Sequence, residues 1–310
     1  MYKYILGRLL LLIPTLLGVT FLVFSILNVL PGNPGRLILG TEAPQSSVDM
    51  LNASFGLDKP FLVRFVNYVG DVITKFEFGN SYRSQNPVVK EITKALPITF
   101  ALALSSVITA IILGVPFGIL AAVRRSTLTD TSITVWAMFL ASIPPFWLAI
   151  MLMSLFAIKI KLFPIFGISG VESYVLPIIS IGLPGSTGFI RLTRVTMLET
   201  VNQEYIKTAR AKGAPEYSVI WKHAFKNAVL PIINGAGLAF SALLGGSIIT
   251  ETVFSMPGLG LLTLQAIRSK DVPIVMASTL FLSTIFCLIV LLIDIVYALI
   301  DPRIKAKFSS

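Results

Sequence analysis

The chain has 310 residues, 55% of them apolar and only 13% charged, with a mean hydropathy of +0.85. Soluble domains carry about 25% charged residues, so this composition excludes an ordinary soluble globule and belongs to a membrane protein. A net charge of +10 would point to nucleic acid in a soluble chain. Here the placement of lysine and arginine around the apolar runs accounts for it, so the expected surroundings are a lipid bilayer and no nucleic acid.

Six charge-free runs, at 9–30, 95–123, 131–158, 173–190, 227–250 and 272–293, are each long enough to cross a bilayer as helix, which takes roughly 18–20 residues. The first is too long for a signal-peptide core and has no small-residue cleavage site, so it reads as a retained span. Basic residues collect in alternate segments: Lys3 and Arg8, then Arg124 and Arg125, then Arg191, Arg194, Lys207, Arg210, Lys212, Lys222 and Lys226, and finally Arg303, Lys305 and Lys307. The positive-inside rule then orients the chain N-in and C-in as an all-α protein with six transmembrane helices.

Span one stops at Pro31-Gly-Asn-Pro34, and an outer segment follows to residue 94. Its apolar residues Phe61, Leu62, Phe65, Val66, Val69, Val72 and Ile73 recur at helical spacing, which predicts amphipathic helices on or near the outer surface; the alternative is a solvated linker. Span two carries Gly114-Val-Pro116, span three Pro144-Pro145, and span four Pro177, Pro184, Gly185 and Gly188. Proline inside a span frees backbone groups that neighbours or water must satisfy, so these spans are expected to be kinked and to pack around a cavity or gate.

Span four is expected to run on past Arg191 and Arg194 into a helix over 195–212, with Gly213 as its C′ residue and Pro215 as N1 of the next helix. In that second helix Tyr217, Ile220, Trp221, Ala224 and Phe225 share a face. The segment reads as a helix–turn–helix whose tip is small (Ala209, Ala211, Gly213 and Ala214) and flanked by Arg210 and Lys212. Small residues let a partner approach closely and flanking cations orient it, so this inner loop is a candidate docking surface; the plainer reading is a basic inside loop with a turn.

At the outer end of span five stand Gly245-Gly-Ser247 and Glu251-Thr-Val-Phe254-Ser-Met-Pro257-Gly-Leu-Gly260. Glu251, Phe254, Pro257, Gly258 and Gly260 form a candidate outer gate, with interfacial capping as the alternative for Glu251. Asp294, in the last span, reads as a structural polar contact in preference to a functional acid, because it lies near the inner end. No phosphate-binding Gly-x-x-x-x-Gly-Lys-Ser/Thr, His-Glu-x-x-His or Gly-x-Ser-x-Gly occurs. One cysteine (Cys287) and one histidine (His223) build neither a disulfide nor a multi-His metal site. The chain therefore reads as non-catalytic. The scarcity of ionisable residues inside spans argues against a proton- or sodium-coupled carrier.

The 204–231 segment resembles the cytoplasmic coupling loop of ABC importer permeases, as Glu204-Tyr-Ile-Lys-Thr-Ala-Arg-Ala-Lys-Gly213 through Ala228-Val-Leu-Pro231. The whole chain resembles the B-type permeases of the dipeptide/oligopeptide/nickel importers, on Pro31-Gly-Asn-Pro34, Gly56-Leu-Asp-Lys-Pro60, Phe78-Gly79-Asn-Ser81, Glu251-Thr-Val-Phe254, Pro257-Gly-Leu-Gly260 and Asp301-Pro-Arg-Ile304. It departs from them at Glu77, where many members carry Asp before Phe-Gly, and at Met256. The resemblance implies a type I ABC importer permease fold, a multi-pass protein of a prokaryotic cytoplasmic membrane, importing peptides or, alternatively, nickel or another metal as a chelate. It implies a C-type sibling permease as heterodimer partner, two cytoplasmic ATPases that bind ATP and Mg, and an extracytoplasmic solute-binding protein that meets the outer segment. Glu204, Tyr205, Thr208, Ala209, Arg210, Ala211, Lys212, Gly213 and Pro215 would form the coupling contact. The implied division is 1–30 (tail and first span), 31–94 (outer segment), 95–304 (five-span core with coupling loop 191–228) and 305–310 (tail).

Overall fold

The computed structural model describes residues 2–29 and 32–300, and side chains within 6–29 and 32–296. Pro31, the Asp301-Pro-Arg-Ile304 motif, Lys305, Lys307 and the 305–310 tail lie outside the described residues. Among the described residues the regular structure is helical, apart from one antiparallel bridge between Asn80 and Pro87.

Helix α1 spans Tyr2–Val29. Asn33 then caps the short α2, Pro34–Leu39: its side chain accepts the Arg36 N–H, and Pro34, which has no N–H to lose, opens the helix. Next come α3 (Gln45–Ser54), α4 (Phe61–Lys75) and the 36-residue α5 (Val88–Val123). Helices α6 (Leu128–Ala141) and α7 (Pro145–Leu152) follow, α7 widening into a π-turn over Met153–Lys159. Beyond a 3₁₀ turn lies α8, Val175–Val201, then α9, Glu204–Ala211. The short α10, Glu216–Ser218, passes through a second π-turn, Val219–Phe225, into α11, Lys226–Gly246. The chain continues as α12 (Ile248–Val253), α13 (Leu259–Arg268) and α14 (Val272–Ile300).

Among the described residues five helices are long and apolar enough to cross a membrane, and the expected third span is the exception. It is a bent pair, α6 and α7–π, at 86° to one another; counted as one span it makes six. The cause is local. Pro145 has no N–H to continue the helix and holds Pro144 in extended backbone (φ −63°, ψ 132°). By contrast α5 passes through Pro116 unbroken.

The chain forms two compact units. The first takes residues up to Thr99 together with Pro257–Leu291. Its core joins Phe78, Val88, Ile92 and Ala95 to Leu259, Ala266, Ile274 and Val275. The buried Thr99 hydroxyl accepts the Leu259 N–H at 2.8 Å. Helix α4 packs on α1 through Phe61 and Phe65 against Phe21 and Phe24, with ring centroids 5.1–6.0 Å apart, so this part of the outer segment is folded and not a linker. The expected single apolar face of α4 is in fact two, because Leu62, Val66 and Ile73 stay exposed. The Phe78-Gly-Asn-Ser81 motif is tied down by Asp271, 3% exposed, which accepts the Ser81 hydroxyl, the Tyr82 N–H at 3.0 Å and the Arg83 N–H at 3.3 Å. Tyr82 stacks on Phe55 at 4.1 Å, and burial pushes its phenol up to about 12.

The second unit takes Phe100–Met256 together with residues from Leu292. Helices α5 and α8 approach closely at Gly114 and Gly118. A Cβ on Gly114 would sit 2.5 Å from Phe189 Cβ, and one on Gly118 2.6 Å from Thr193 Cβ. This is small-xxx-small packing: with lipid tails as apolar as leucine, helices gain by dispersion only when backbones come near. Arg194 of α8 forks onto Asp130 of α6 at 2.7 and 2.8 Å, and the Ser126 N–H adds a third bond to the carboxylate at 3.1 Å. Arg194 is therefore a structural pair member as well as part of the inner positive charge.

Candidate functional site

The inner hairpin is built on the second unit's core. Ile206, fully buried on α9, joins the core cluster that includes Val115, Ile119, Met197 and Val219. Burying an isoleucine stabilises by about 1.5–3 kcal/mol, so this residue fastens an otherwise polar helix. The expected continuous helix over 195–212 is instead two: α8 ends at Val201, and Asn202-Gln203 turn the chain before α9. Lys212 is the C-cap and Gly213 follows at φ +81°, as expected of a C′ residue. The Gly213 N–H bonds to the Arg210 carbonyl at 2.9 Å and the Ala214 N–H to the Ala209 carbonyl at 3.2 Å, closing a Schellman turn. Pro215 occupies the N-cap, one residue earlier than expected, and Glu216 opens α10.

Across this turn Arg210 donates from Nε and Nη2 to both oxygens of Glu216, at 3.1 and 2.7 Å. The Glu216 carboxylate holds the Arg210 guanidinium above its usual range. Arg210 thus braces the hairpin and is no spare cation. Lys207 pairs with Glu204 at 2.7 Å, whereas exposed Lys212 makes no ion pair among the described residues. Glu204, Tyr205, Thr208, Ala211, Gly213 and Pro215 are exposed and Ala209 is half-buried. A Cβ on Gly213 would meet nothing within 4 Å, so the tip is open. Tyr205 accepts a hydrogen bond from Asn227 at 3.0 Å, linking α9 to α11.

The face expected on the second helix is corrected by the π-turn, whose wider winding rotates side chains relative to an α-helix. Val219 and Ala224 are buried, while Tyr217 and Trp221 are exposed and run with Phe225 as a ring ladder, centroids 6.3 and 5.5 Å apart.

The candidate gate residues divide between the two units. Glu251 and Phe254, in the second, are 0% and 3% exposed. Glu251 is therefore no interfacial cap. It accepts the Ser247 hydroxyl at 2.7 Å, and its carbonyl receives the Met256 N–H at 2.8 Å, with Ser255 turning through φ +50°. Together with Asp130, it shows that acids inside the helical bundle are less scarce than the charge-free runs imply. Pro257, Gly258 and Gly260, in the first unit, form the turn into α13; Pro257 is exposed and both glycines are buried. Asp294 is half-buried on α14.

Among the described residues, two of the cavities are the following. In the first unit a cleft of about 620 Å³ is lined by Leu37, Ile38, Arg83, Gln265, Arg268 and Ser269. In the second a cavity of about 490 Å³ lies among α5, α7, α8 and α11, where Arg191 is the only charged residue in the lining. Sequence reasoning missed both, because each gathers residues far apart in the chain.

Residues 114–306 match the family model described as "Binding-protein-dependent transport system inner membrane component", and residues 1–103 match that family's N-terminal component. The chain is 39% identical over 307 residues to the glutathione transport system permease protein GsiC of Salmonella typhimurium, covering 99% of this chain and 100% of that one. It is 38% identical over 333 residues to the dipeptide transport system permease protein DppB of Alkalihalophilus pseudofirmus, covering 98% and 100%. Among solved structures, a chain from the inward-facing MetNI methionine ABC transporter superposes with a TM-score of 0.55 at 18% identity, covering 69% of this chain and 97% of that one.

Proposed function

This chain belongs to the family of binding-protein-dependent transport system inner membrane components, and from that premise we propose that it passes di- or oligopeptides across the membrane as one of two paired, non-identical permeases. It is the permease subunit of an ABC importer, with a type I importer permease fold. Peptide is the cargo favoured over a nickel chelate because the relatives are named for glutathione and dipeptide transport. ATP and Mg bind, and hydrolysis occurs, on two cytoplasmic partner subunits; this chain has no phosphate-binding loop of its own. Movement of the peptide follows from alternating access of the paired permeases.

The carrying observation is the hairpin. Its exposed small-residue tip at Ala211, Gly213 and Pro215 suits insertion into a groove of an ATPase, while Ile206 and the Arg210–Glu216 fork hold it as one body. A rigid lever moves a core when pushed; a loose loop absorbs the push. On the outer side, Arg83 and Arg268 line one cleft without a side-chain hydrogen bond or ion pair among the described residues, and they suit an acidic patch on the solute-binding protein. For the outer gate we retain Glu251 and Phe254 at the end of α12, and Pro257, Gly258 and Gly260 at the start of α13.

The test is Gly213→Trp beside Gly213→Ala in proteoliposomes of the full complex, with ATP hydrolysis and labelled dialanine uptake measured together. Both variants impose the same left-handed strain, but only tryptophan fills the space a partner needs. Uncoupling by tryptophan and not by alanine is expected. Normal uptake by Gly213→Trp refutes the coupling assignment.

A further inference from the structure

We propose that α4 is sunk into the outer leaflet beside α1, presenting a stripe of Leu62, Val66, Val69 and Ile73 to lipid acyl chains, so that this helix ties the outer segment to the bilayer. The inference needs α1 and α14 to cross the membrane and stands apart from the choice of cargo.

Helix α4 carries more apolar surface than one contact covers. At about 100° per residue, Phe61, Phe65, Tyr68 and Val72 fall within an arc of about 60°. Leu62, Val66, Val69 and Ile73 fill a second arc of about 60° alongside it, and Asn67, Asp71, Thr74 and Lys75 take the remaining side. The two apolar arcs together cover about 160°, where a helix with one buried stripe needs about 100°. The first arc meets α1, through Phe61 and Phe65 on Phe21 and Phe24. The second is uncovered: Leu62, Val66 and Ile73 are 64%, 64% and 71% exposed.

Depth decides what covers it. Phe21 and Phe24 lie eight and five residues before Val29, the outer end of α1, which is about 12 and 7.5 Å along the axis. The apolar span Leu6–Val29 has 24 residues, about 36 Å against a hydrocarbon core of about 30 Å. With the surplus shared between its ends, Phe21 still sits about 9 Å and Phe24 about 4–5 Å inside the hydrocarbon. Leu62 and Val66 adjoin Phe61 and Phe65 and so share that depth. Just past the other end of α4, Phe78 packs on Phe281, nine residues into α14, with ring centroids 5.2 Å apart. Arg64 reports the same level: its guanidinium lies 5.5 Å from the Phe24 ring centre and donates to Asn28 Oδ1 at 3.0 Å, next to the end of α1. This is a cation snorkelling from an apolar layer towards water.

The side chains favour lipid over a second permease. Helices that pair in a membrane approach through small residues, as α5 does on α8 at Gly114 and Gly118. The second stripe of α4 consists of branched aliphatics, with no glycine, alanine or serine in it. At 15 residues, about 22 Å, α4 is too short to cross the bilayer.

Spin-label accessibility on the assembled transporter, in nanodiscs of phosphatidylcholine and phosphatidylglycerol, tests this. In a Cys287→Ser background, Leu62→Cys, Val66→Cys and Ile73→Cys carry a nitroxide, with Asn67→Cys as the polar-side control. Collision with oxygen, which concentrates among acyl chains, is compared with collision with a water-soluble nickel chelate. The oxygen-to-nickel ratio at the three stripe positions is expected to exceed that at Asn67 at least 5-fold. High nickel collision on the stripe means water there and overturns the proposal. Low collision with both reagents means protein cover, assigns the stripe to a partner subunit and overturns it equally. The wild-type complex gives a second reading without substitutions. A phosphatidylcholine bearing a diazirine in its acyl chain is expected to label the α4 stripe on irradiation, as it labels the exposed Leu22 and Ile26 of α1. Labelling of α1 with none on α4 overturns the proposal.

Discussion

The Arg210–Glu216 fork separates two explanations of any coupling defect at Arg210. Arg210→Glu removes a two-bond ion pair and sets two carboxylates across the Schellman turn. The partners' side chains are 40% and 55% exposed, so solvent screens the pair to about 0.2–1 kcal/mol, and the new repulsion adds a similar amount. A total of about 0.4–2 kcal/mol does not unfold a membrane bundle. It does shift a closed-to-open balance of the hairpin by roughly 2- to 30-fold. We therefore expect Arg210→Glu to lower the ratio of dialanine transported to ATP hydrolysed at least 2-fold in proteoliposomes, with the thermal midpoint nearly unchanged. The charge-swapped pair Arg210→Glu with Glu216→Arg rebuilds the fork in reverse and is expected to recover most of that loss. If the swap is as defective as the single change, Arg210 acts by its charge on a partner, and the bracing argument is refuted.

Gly118→Ala is expected to destabilise by about 1–3 kcal/mol, since its Cβ would lie 2.8 Å from the Ile190 carbonyl oxygen as well as against Thr193, and backbone cannot yield as a side-chain tip can; thermal unfolding in detergent checks this, against Gly188→Ala, which meets nothing within 4 Å. Asp271→Ala orphans the Ser81 hydroxyl and the Tyr82 amide, at a cost of about 2–3 kcal/mol, while the Arg83 N–H keeps the Ser81 hydroxyl as acceptor at 3.2 Å; hydrogen exchange at Tyr82 is expected to rise well above exchange elsewhere in the outer segment. Unchanged exchange at Tyr82 contradicts the clamp. The Tyr82 phenol, raised mainly by burial to about 12, binds its proton more tightly folded than unfolded, so its stabilisation is complete below pH 10 and is lost as pH climbs from 10 through about 12. Comparison of wild type with Tyr82→Phe by alkaline unfolding reads that loss, which phenylalanine is expected to remove.

Local chemistry was legible in the chain itself. Hydropathy runs place the spans, because a bilayer imposes length and apolarity on each segment alone. Gly213 announces a helix end because only glycine takes φ +81° without strain, and the turn is where it was expected. The hairpin's existence and its small tip follow from the same local rules. Its membership of a transporter family follows from motifs in order along the chain.

Other features depend on distance in sequence, and the tertiary structure alone decided them. Asp130 meets Arg194 64 residues away, and Asp271 meets Ser81 190 residues away. Nothing near Asp271 distinguishes it from a surface acid. Glu251 follows an apolar run and so reads as interfacial, but packing encloses it completely. The same holds for Arg191 and Arg194, identical in type and nearly adjacent, one paired and one facing a cavity. Burial and ion pairing are properties of what the rest of the chain brings alongside a residue, and no local pattern encodes them. Span apolarity and the turn at Gly213 are set within a few residues by sterics and hydration and were legible in the sequence, whereas the break of the third span and the end of α8 at Val201 were not.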